Sequence, residues 1–345
     1  MPASRIGFGR DQPVTEGGEV GFISQSGGHA SRFIRRTAES EVKISKLVSL
    51  GNASDLKITD FLLYFGRDLE TKIIGLYIEG ISEGRRFFET LRDVASRKPV
   101  VIWKGGRTES GMRATRGHTG SLAGSFDIWK SVSKQTGAIL VENVDEIVDT
   151  IVALRSIRSP KRLRVALLGG GGGESVEASD ALGTEGLTIP PLARESEEKI
   201  TQILPPAGTI RRNPIDMNMG PINSHYLGRM KELLTALAED PNIDTIIFHE
   251  EVSLPGQWGG APSNRTAEEE IQSLAETLAE FQRSVTKPIL CVIQKRSEGV
   301  DLEEALIITR RIFRQHGLPP FPSMTRAARV IRRLHDYHRF FDRED

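Results

Sequence analysis

A turn rich in serine and glycine is the first segment of the sequence whose residues could do chemistry. Ser24, Gln25, Ser26, Gly27 and Gly28 follow an apolar run typical of a β-strand and precede a helical pattern. Small residues let the backbone approach a ligand, and a helix N-terminus offers unpaired amides with a partial positive charge. The turn is therefore a candidate anion site, although a tight strand-to-helix turn needs glycine in any case.

A histidine and a glutamate add a candidate nucleophile and a carboxylate that could fix the tautomer of its ring. His118 lies in the small-residue segment Gly117–Gly124, and a neutral imidazole suits transient capture of a phosphoryl group. Glu79 follows the strand-like run Thr71–Ile78, at the edge where ligands of open α/β sheets collect. Such a carboxylate would accept the proton of one imidazole nitrogen and leave the other free. The competing interpretations are that His118 is a surface residue and that Glu79 is the N-cap of the following helix.

A second glycine turn, Gly169–Gly173, occupies the equivalent position in the second half of the chain. Its residues Gly170, Gly171, Gly172 and Gly173 are candidate phosphate ligands through their amides. A flexible turn is the competing interpretation, because five consecutive glycines match many patterns.

No metal site is predicted, because the histidines are scattered. His335 and His338 lie three residues apart on a helical pattern without a third ligand nearby, and a zinc site needs more ligands than that. His29 follows the first glycine turn and could approach an anion.

The composition predicts a soluble, cytoplasmic protein of two domains. The length of 345 residues exceeds one ordinary core. Lysine plus arginine equals aspartate plus glutamate, 46 each, so neither nucleic acid nor a membrane is a predicted partner. The single cysteine, Cys291, lies in an apolar run and is expected to be a small buried hydrophobe in a reducing compartment. No apolar stretch approaches the roughly 20 residues that span a bilayer.

Strand-like runs alternate with helical patterns along the whole chain, which predicts parallel pairing with helices on both faces of each sheet. The fold class is α/β, with two doubly wound parallel-sheet domains of flavodoxin type. We expect an N-terminal arm at 1–15, a first domain at 16–157 and a second at 158–345. Within the first domain, Gly105–Gly124 is predicted to be a loop, and in the second a helix is predicted to begin at Glu174.

Several ordered motifs together resemble one family, the nucleoside-diphosphate-forming acyl-CoA synthetases. The motifs include the first turn, the segments Val48–Asn52 and Leu76–Gly80, and the pair Lys98–Arg107 and His118–Gly124. They are similar to the succinyl-CoA-synthetase-like flavodoxin domain of ADP-forming acetyl-CoA synthetases. In the second half, Asn213–Asp216 resembles the other ligase domain of that family.

The resemblance implies an acid–thiol ligase subunit that relays a phosphoryl group through a phosphohistidine. His118 falls on the phosphorylated position, Glu79 on the carboxylate that orients it, and Ser24–Gly28 on one of two helix N-termini that cradle phosphate. Gly170–Gly173 falls on the glycine turn of the second domain. Acyl phosphate, carboxylate, CoA and ATP or ADP are the implied substrates, with no tightly bound cofactor.

The resemblance also implies partners. The family's α chain begins with a Rossmann-type CoA-binding domain, and its nucleotide is held by an ATP-grasp segment that carries Mg²⁺. Both functions are expected on partner chains of a hetero-oligomer, so the chain is expected to be inactive alone. Two alternatives stay open: a non-catalytic adaptor of the same fold, or a phosphohistidine subunit that energises a carboxylation or C–C cleavage in a larger complex.

Overall fold

The computed structural model describes residues 17–51, 53, 55–119, 125–205, 209–217, 224–252, 266–295 and 299–342, with side chains at all of these except 115–119 and 224. The chain forms two compact units, which are described separately. Unit 1 comprises Met1–Arg155 and Asp336–Asp345, and unit 2 comprises Ser156–His335. The expected N-terminal arm lies outside the described residues, and the expected domain boundary at 157/158 stays a prediction.

Unit 1 contains a five-stranded parallel sheet with the strand order β2-β1-β3-β4-β5. This is the flavodoxin order. Strands are added on one side of β1 first and then on the other, and the change of side opens a crevice at the carboxyl edge, between β1 and β3. The flavodoxin-type fold predicted for the first domain is confirmed. The strands are β1 (Val20–Ser24), β2 (Ile44–Ser49), β3 (Ile73–Ile78), β4 (Val100–Lys104) and β5 (Ile139–Val141).

Successive side chains of the unit 1 strands enter two different cores, because side chains alternate between the faces of a sheet. Phe22 packs in a cluster with Phe33 of α1 and Ile147 of α6. Its neighbour Ile23 packs in a second cluster with residues of α2, α3 and α5, including Leu62. The sheet is therefore covered on both faces. The helices are α1 (Gly27–Glu39), α2 (Ile58–Arg67), α3 (Gly84–Ala95), α4 (Glu109–Thr119), α5 (Phe126–Thr136) and α6 (Val144–Ser156).

The prediction of a loop over Gly105–Gly124 is wrong for Glu109–Thr119, which forms α4. The Thr108 hydroxyl accepts a hydrogen bond from the Gly111 amide at 3.1 Å, and Arg113 pairs with Glu109 at 2.8 Å one turn apart. Local capping and an i,i+4 ion pair stabilise a helix even where glycine and threonine are frequent. Residues 120–124 of the predicted loop lie outside the described residues.

Unit 2 contains a four-stranded parallel sheet in the order β6-β7-β8-β9. The outer edge of β6 is extended by isolated parallel bridges from Arg164 to Thr188 and from Leu168 to Ile215. The second parallel α/β domain is confirmed. The strands are β6 (Val165–Gly169), β7 (Thr245–Val252), β8 (Ile289–Lys295) and β9 (Pro320–Phe321).

One cluster of the unit 2 core packs one face of the sheet against four helices, and it contains Cys291 at 1% exposure, as the sequence predicts. Helix α8 was not predicted from the sequence, and α7 begins at Gly172, two residues before the predicted start at Glu174. The helices are α7 (Gly172–Thr184), α8 (Arg194–Ile203), α9 (Ser224–Glu239), α10 (Ala267–Ser284) and α11 (Val300–Gln315), and α12 (Met324–Phe341) contains residues of both units.

Candidate functional site

The carboxyl edge of the unit 1 sheet gathers the ends of β1, β3 and β4. The strand register pairs Ser24 with Tyr77 and Ile78 with Lys104. Beyond the last pairs, the Gln25 amide still donates to the Tyr77 carbonyl oxygen at 3.2 Å and the Gly105 amide to the Ile78 carbonyl oxygen at 2.9 Å. The residues that follow these three strands are thus neighbours, as the parallel pairing requires.

Two serines shape the turn between β1 and α1. The fully buried Ser24 hydroxyl donates to the Ser26 carbonyl oxygen at 2.7 Å and accepts from the Ser26 amide at 3.1 Å. The Ser26 side chain is the N-cap of α1 and accepts from the His29 amide at 3.3 Å. Gly27 and Gly28 are the first two residues of the helix, where amides have no acceptor within the helix.

The side chain of Gln25 connects this turn to Glu79. Its Oε1 accepts from the amides of Glu79 at 2.5 Å and Gly80 at 3.1 Å, and its Nε2 donates to the Gly80 carbonyl oxygen at 2.9 Å. Three hydrogen bonds between one side chain and the end of β3 fix the separation of the two segments. The structure therefore brings Ser24–Gly28 and Glu79 together.

Glu79 is a buried carboxylate, 6% exposed, at the end of β3. The Tyr77 hydroxyl donates to its Oε1 at 3.1 Å. Burial raises the pKa of that hydroxyl, and the negative charge of Glu79 raises it further, so Tyr77 stays a neutral donor. Glu79 is not the N-cap of the next helix, because the N-cap of α3 is Glu83 and its side chain makes no cap hydrogen bond.

A buried lysine at this edge was not predicted from the sequence to belong to the site. Lys104 ends β4 and is 1% exposed. Its Nζ donates to the Glu79 carbonyl oxygen at 2.9 Å and also to the carbonyl oxygen of Gly105. Burial lowers the pKa of Lys104 to about 8, against the attraction of the Glu79 carboxylate. The signal in the sequence is a charged residue that ends an apolar run at the edge where ligands bind.

His29 lies in an aromatic group at the same edge. Its ring centroid is 4.4 Å from that of Tyr77 and 4.4 Å from that of Trp103. Burial lowers the pKa of His29, and the nearby Glu79 carboxylate partly offsets that effect. The ring is therefore mainly neutral near pH 7, so it adds no full positive charge to the α1 N-terminus.

His118 lies in the last turn of α4, which follows β4. Its backbone belongs to the described helix, whereas its side chain lies outside the described side chains. The predicted contact between the His118 imidazole and Glu79 therefore stays a prediction.

The glycine turn of unit 2 is built differently from the turn of unit 1. Gly169 and Gly170 have φ values of +103° and +76°, in the left-handed region that favours glycine. Helix α7 begins at Gly172, with Gly171 as an N-cap that offers no side-chain hydrogen bond. Of the four predicted phosphate ligands there, Gly170 and Gly171 form the turn, and Gly172 and Gly173 form the first turn of the helix.

The described residues contain no helix that is long and apolar enough to cross a membrane. Within that same part of the chain, no group of three or more histidine, cysteine, aspartate or glutamate side chains could hold a metal ion.

Residues 17–154 match the family model described as the succinyl-CoA ligase like flavodoxin domain. The sheet of unit 1 and its carboxyl edge therefore lie within a domain of this class. The chain is 33% identical over 308 residues to the ADP-forming acetate–CoA ligase II subunit alpha of Pyrococcus furiosus, covering 89% of this chain and 63% of that protein. It is 30% identical to subunit alpha of ligase I of the same organism, covering 94% of this chain and 65% of that protein.

Among solved structures, the acetyl-coenzyme A synthetase 1 of Ca. Korarchaeum cryptofilum, in complex with phosphate and ADP, superposes with a TM-score of 0.76 at 27% identity. The match covers 96% of this chain and 68% of that one. Residues 17–154 thus form a succinyl-CoA-ligase-like flavodoxin domain, and the relatives of the chain are ADP-forming acyl-CoA ligases. The chain spans less than two thirds of the length of the two Pyrococcus relatives.

Proposed function

We propose that this chain is a subunit of a nucleoside-diphosphate-forming acyl-CoA synthetase and relays a phosphoryl group through His118. The observation that carries the proposal is the bridge made by Gln25, which holds the buried Glu79 carboxylate beside the N-terminus of α1. A positive helix end and a buried carboxylate have opposite roles toward a phosphorylated imidazole. The helix end stabilises the phosphoryl oxygens, and the carboxylate stabilises the proton on the far ring nitrogen.

The proposed step transfers phosphorus from an acyl phosphate to the imidazole. One ring nitrogen of His118 forms the N–P bond while the P–O bond to the acyl oxygen breaks, and the carboxylate product leaves with the electron pair. The proton on the other ring nitrogen stays there and faces Glu79. A second in-line displacement by the terminal phosphate oxygen of ADP then breaks the N–P bond and forms ATP.

The α1 N-terminus supplies the donors for the phosphoryl oxygens in this proposal. The amides of Gly27 and Gly28 are directed out of the first helical turn, while Ser26 already satisfies the next amide. Amides that are fixed before the ligand arrives do not have to reorient during transfer, which is the main source of electrostatic stabilisation in such sites.

We propose that CoA, Mg²⁺ and the nucleotide are held by partner chains of a hetero-oligomer, and that the chain alone does not turn over. Support comes from the two Pyrococcus furiosus relatives, which are named as alpha subunits. Other relatives are named for different acids, including 4-hydroxybutyrate in Nitrosopumilus maritimus. The proposal for the substrate therefore extends to a small carboxylic acid and not to one acyl group.

The test of the relay uses the chain with the chains that co-purify with it and ATP labelled on the γ-phosphate. We expect an acid-labile, base-stable label on the wild type and none on His118→Ala. The control is His225→Ala, which removes an exposed histidine of α9 and should leave the label unchanged. An unlabelled wild type, or an equal label on His118→Ala, would contradict the proposal.

Glu79→Gln tests the carboxylate separately. The substitution keeps an oxygen that can accept from Tyr77 but removes the charge that faces the imidazole. We expect the initial rate of labelling to fall by about 10- to 100-fold, as for other residues that orient a functional histidine, with thermal unfolding close to that of the wild type. The scatter of such an assay is about twofold. A labelling rate within about twofold of the wild-type rate would therefore show that Glu79 takes no part in the transfer.

A further inference from the structure

A buried lysine at the carboxyl edge of unit 1 has no part in the relay as proposed above. Lys104 is the last residue of β4 and is 1% exposed. Its Nζ donates to the carbonyl oxygen of Glu79 at 2.9 Å and also to the carbonyl oxygen of Gly105. One side chain thus joins the end of β3, which carries the carboxylate of the relay, to the first residue after β4.

Glu79 is also held at its other polar groups. Its amide donates to Oε1 of Gln25 at 2.5 Å, and its side-chain Oε1 accepts from the Tyr77 hydroxyl at 3.1 Å. The amide, the carboxylate and the carbonyl oxygen of Glu79 are therefore bound from the β1 turn, from β3 and from β4. Of these three contacts, the one from Lys104 carries a positive charge.

The segment that Lys104 fixes leads to the proposed nucleophile. Gly105 begins the connection from β4 to α4 (Glu109–Thr119), and His118 is in the last turn of that helix. A Cβ on Gly105 would lie 2.7 Å from the Tyr77 hydroxyl oxygen. The start of the connection thus packs closely against a residue that holds the carboxylate, so a shift of one segment moves the other.

The strength of the Lys104 contacts depends on its charge. Burial lowers the pKa of Lys104 to about 8, against the attraction of the Glu79 carboxylate, the charged group that acts on it from β3. From α5, the uncharged ring of Trp129 lies 6.0 Å from Nζ. Charge-assisted hydrogen bonds are roughly twice as strong as neutral ones. Both bonds should therefore be strong near pH 7 and weaken as the ammonium loses its proton through about pH 8.

We propose that Lys104 is a positioning residue of the phosphoryl relay, and that its ammonium form holds the end of β3 against the β4–α4 connection so that Glu79 can brace the His118 imidazole. This role rests on the proposed function, because it belongs to the same transfer. The buried positive charge also stabilises the negative charge of a phosphoryl group at this edge, and burial limits the screening of that effect by salt. The relay should thus be fastest while Lys104 is protonated.

Lys98 offers a matched control at the opposite end of the same strand. It lies two residues before β4, and its Nζ donates to the carbonyl oxygens of Phe65 at 2.8 Å and Asp68 at 2.6 Å. Burial lowers the pKa of Lys98 as well. The two lysines therefore make the same kind of contact, and Lys98 differs in lying at the amino edge of the sheet, away from the proposed site.

The experiment measures the initial rate of labelling by ATP labelled on the γ-phosphate, with the chain and its co-purifying chains, between about pH 7 and about pH 9.5. Rates are compared as ratios at each pH, so that titrations common to both proteins cancel. The ratio of wild type to Lys104→Met should be about 10 near pH 7 and fall to about 2 near pH 9.5, because the ammonium makes stronger bonds than the neutral amine. The ratio of wild type to Lys98→Met should stay between about 0.5 and about 2 throughout.

A loss of stability cannot imitate this result. The pKa of Lys104 in the folded chain is below its ordinary value of 10.5, so the wild type gains stability relative to Lys104→Met as the pH rises. Partial unfolding of the variant would therefore make the ratio rise with pH instead of fall. Lys104→Gln keeps a neutral N–H donor at every pH and should show the same fall, and it replaces Lys104→Met if that variant does not fold.

Two results would overturn the proposal: a ratio of wild type to Lys104→Met that does not change with pH, or a Lys98→Met ratio that falls in the same way. In either case a labelled wild type would leave the relay in place. An unlabelled wild type would remove the relay, and this role of Lys104 with it.

Discussion

Each of the two glycine turns links the first strand of its unit to the helix that follows, yet the two turns are fixed by different parts of the chain. The turn of unit 1 is held by side chains: Ser24 and Ser26 bond to its backbone, and Gln25 joins it to the end of β3. The turn of unit 2 is held by backbone conformation, with left-handed φ at Gly169 and Gly170. A turn fixed by side chains presents its helix end ready for an anion, whereas a turn made of glycine admits a neighbouring side chain.

The difference predicts which substitutions each turn tolerates. In unit 1, loss of a polar side chain should loosen the site, because the hydrogen bonds that position it are lost. In unit 2, addition of a single methyl group should be the more damaging change, because the backbone conformation excludes it. The predictions below run from the largest expected effect to the smallest.

Gly169→Ala, in unit 2, should have the largest effect and should lower the stability of the fold. The new Cβ would lie 2.1 Å from the carbonyl oxygen of His249, and the residue has φ of +103°. A backbone clash combined with left-handed strain should lower the free energy of unfolding by about 4 kcal/mol. Denaturant unfolding followed by circular dichroism measures this, and a loss below about 1 kcal/mol would contradict the described turn.

Gln25→Ala should be the most damaging single change at the unit 1 turn. It removes three hydrogen bonds to Glu79 and Gly80 and leaves their partly buried backbone groups without a partner. We expect a loss of about 2–3 kcal/mol in the free energy of unfolding, together with slower labelling of His118. Gln25→Glu keeps one acceptor oxygen and should recover part of the loss. Equal stability of Gln25→Ala and the wild type would show that the bridge does not hold the site.

Lys104 should make the stability of unit 1 depend on pH. Its pKa in the folded chain is about 8, below its ordinary value of 10.5. Between these two values the unfolded chain binds more protons than the folded chain, so stability rises with pH. Relative to Lys104→Met, the wild type should gain about 2 kcal/mol between about pH 7 and about pH 9.5. A constant difference across that range would mean that Lys104 is not buried as described.

Gly173→Ala should have the smallest effect, and one of opposite sign to Gly169→Ala. A Cβ at this position meets no atom within 4 Å, and the residue is the second of α7. Alanine should raise the free energy of unfolding by about 0.5–1 kcal/mol, because it restricts the unfolded chain and favours helix. Thermal unfolding measures it, and a clear destabilisation would show that the helix begins later than Gly172.

Sequence patterns predicted the parts of the fold that repeat. Parallel strands with helices on both faces follow from the alternation of apolar runs and helical periods, and both sheets confirm it. Helix α8 was missed because its buried side is narrow, with only Ser196 and Ile200 buried, so it has little apolar periodicity. Helix α4 was missed because glycine and threonine outweighed its capping and its Glu109–Arg113 pair.

The candidate site was predictable only as separate segments. The position of Glu79 at the end of β3 could be read from the sequence, since ligands collect at that edge. The ring contacts among Tyr77, Trp103 and His29 could not be predicted, because they depend on the register between strands. The hydrogen bond from Lys104 to the Glu79 carbonyl oxygen depends on the same register.

The most direct test of the relay is to locate the phosphoryl group on the chain. The chain and its co-purified partner chains are allowed to react with ATP, stopped at alkaline pH, digested, and analysed by tandem mass spectrometry. We predict one phosphoryl group, on the imidazole of His118, that disappears when ADP is added. A phosphoryl group on a different residue, or a His118 that stays unmodified while the complex makes acyl-CoA, would contradict it.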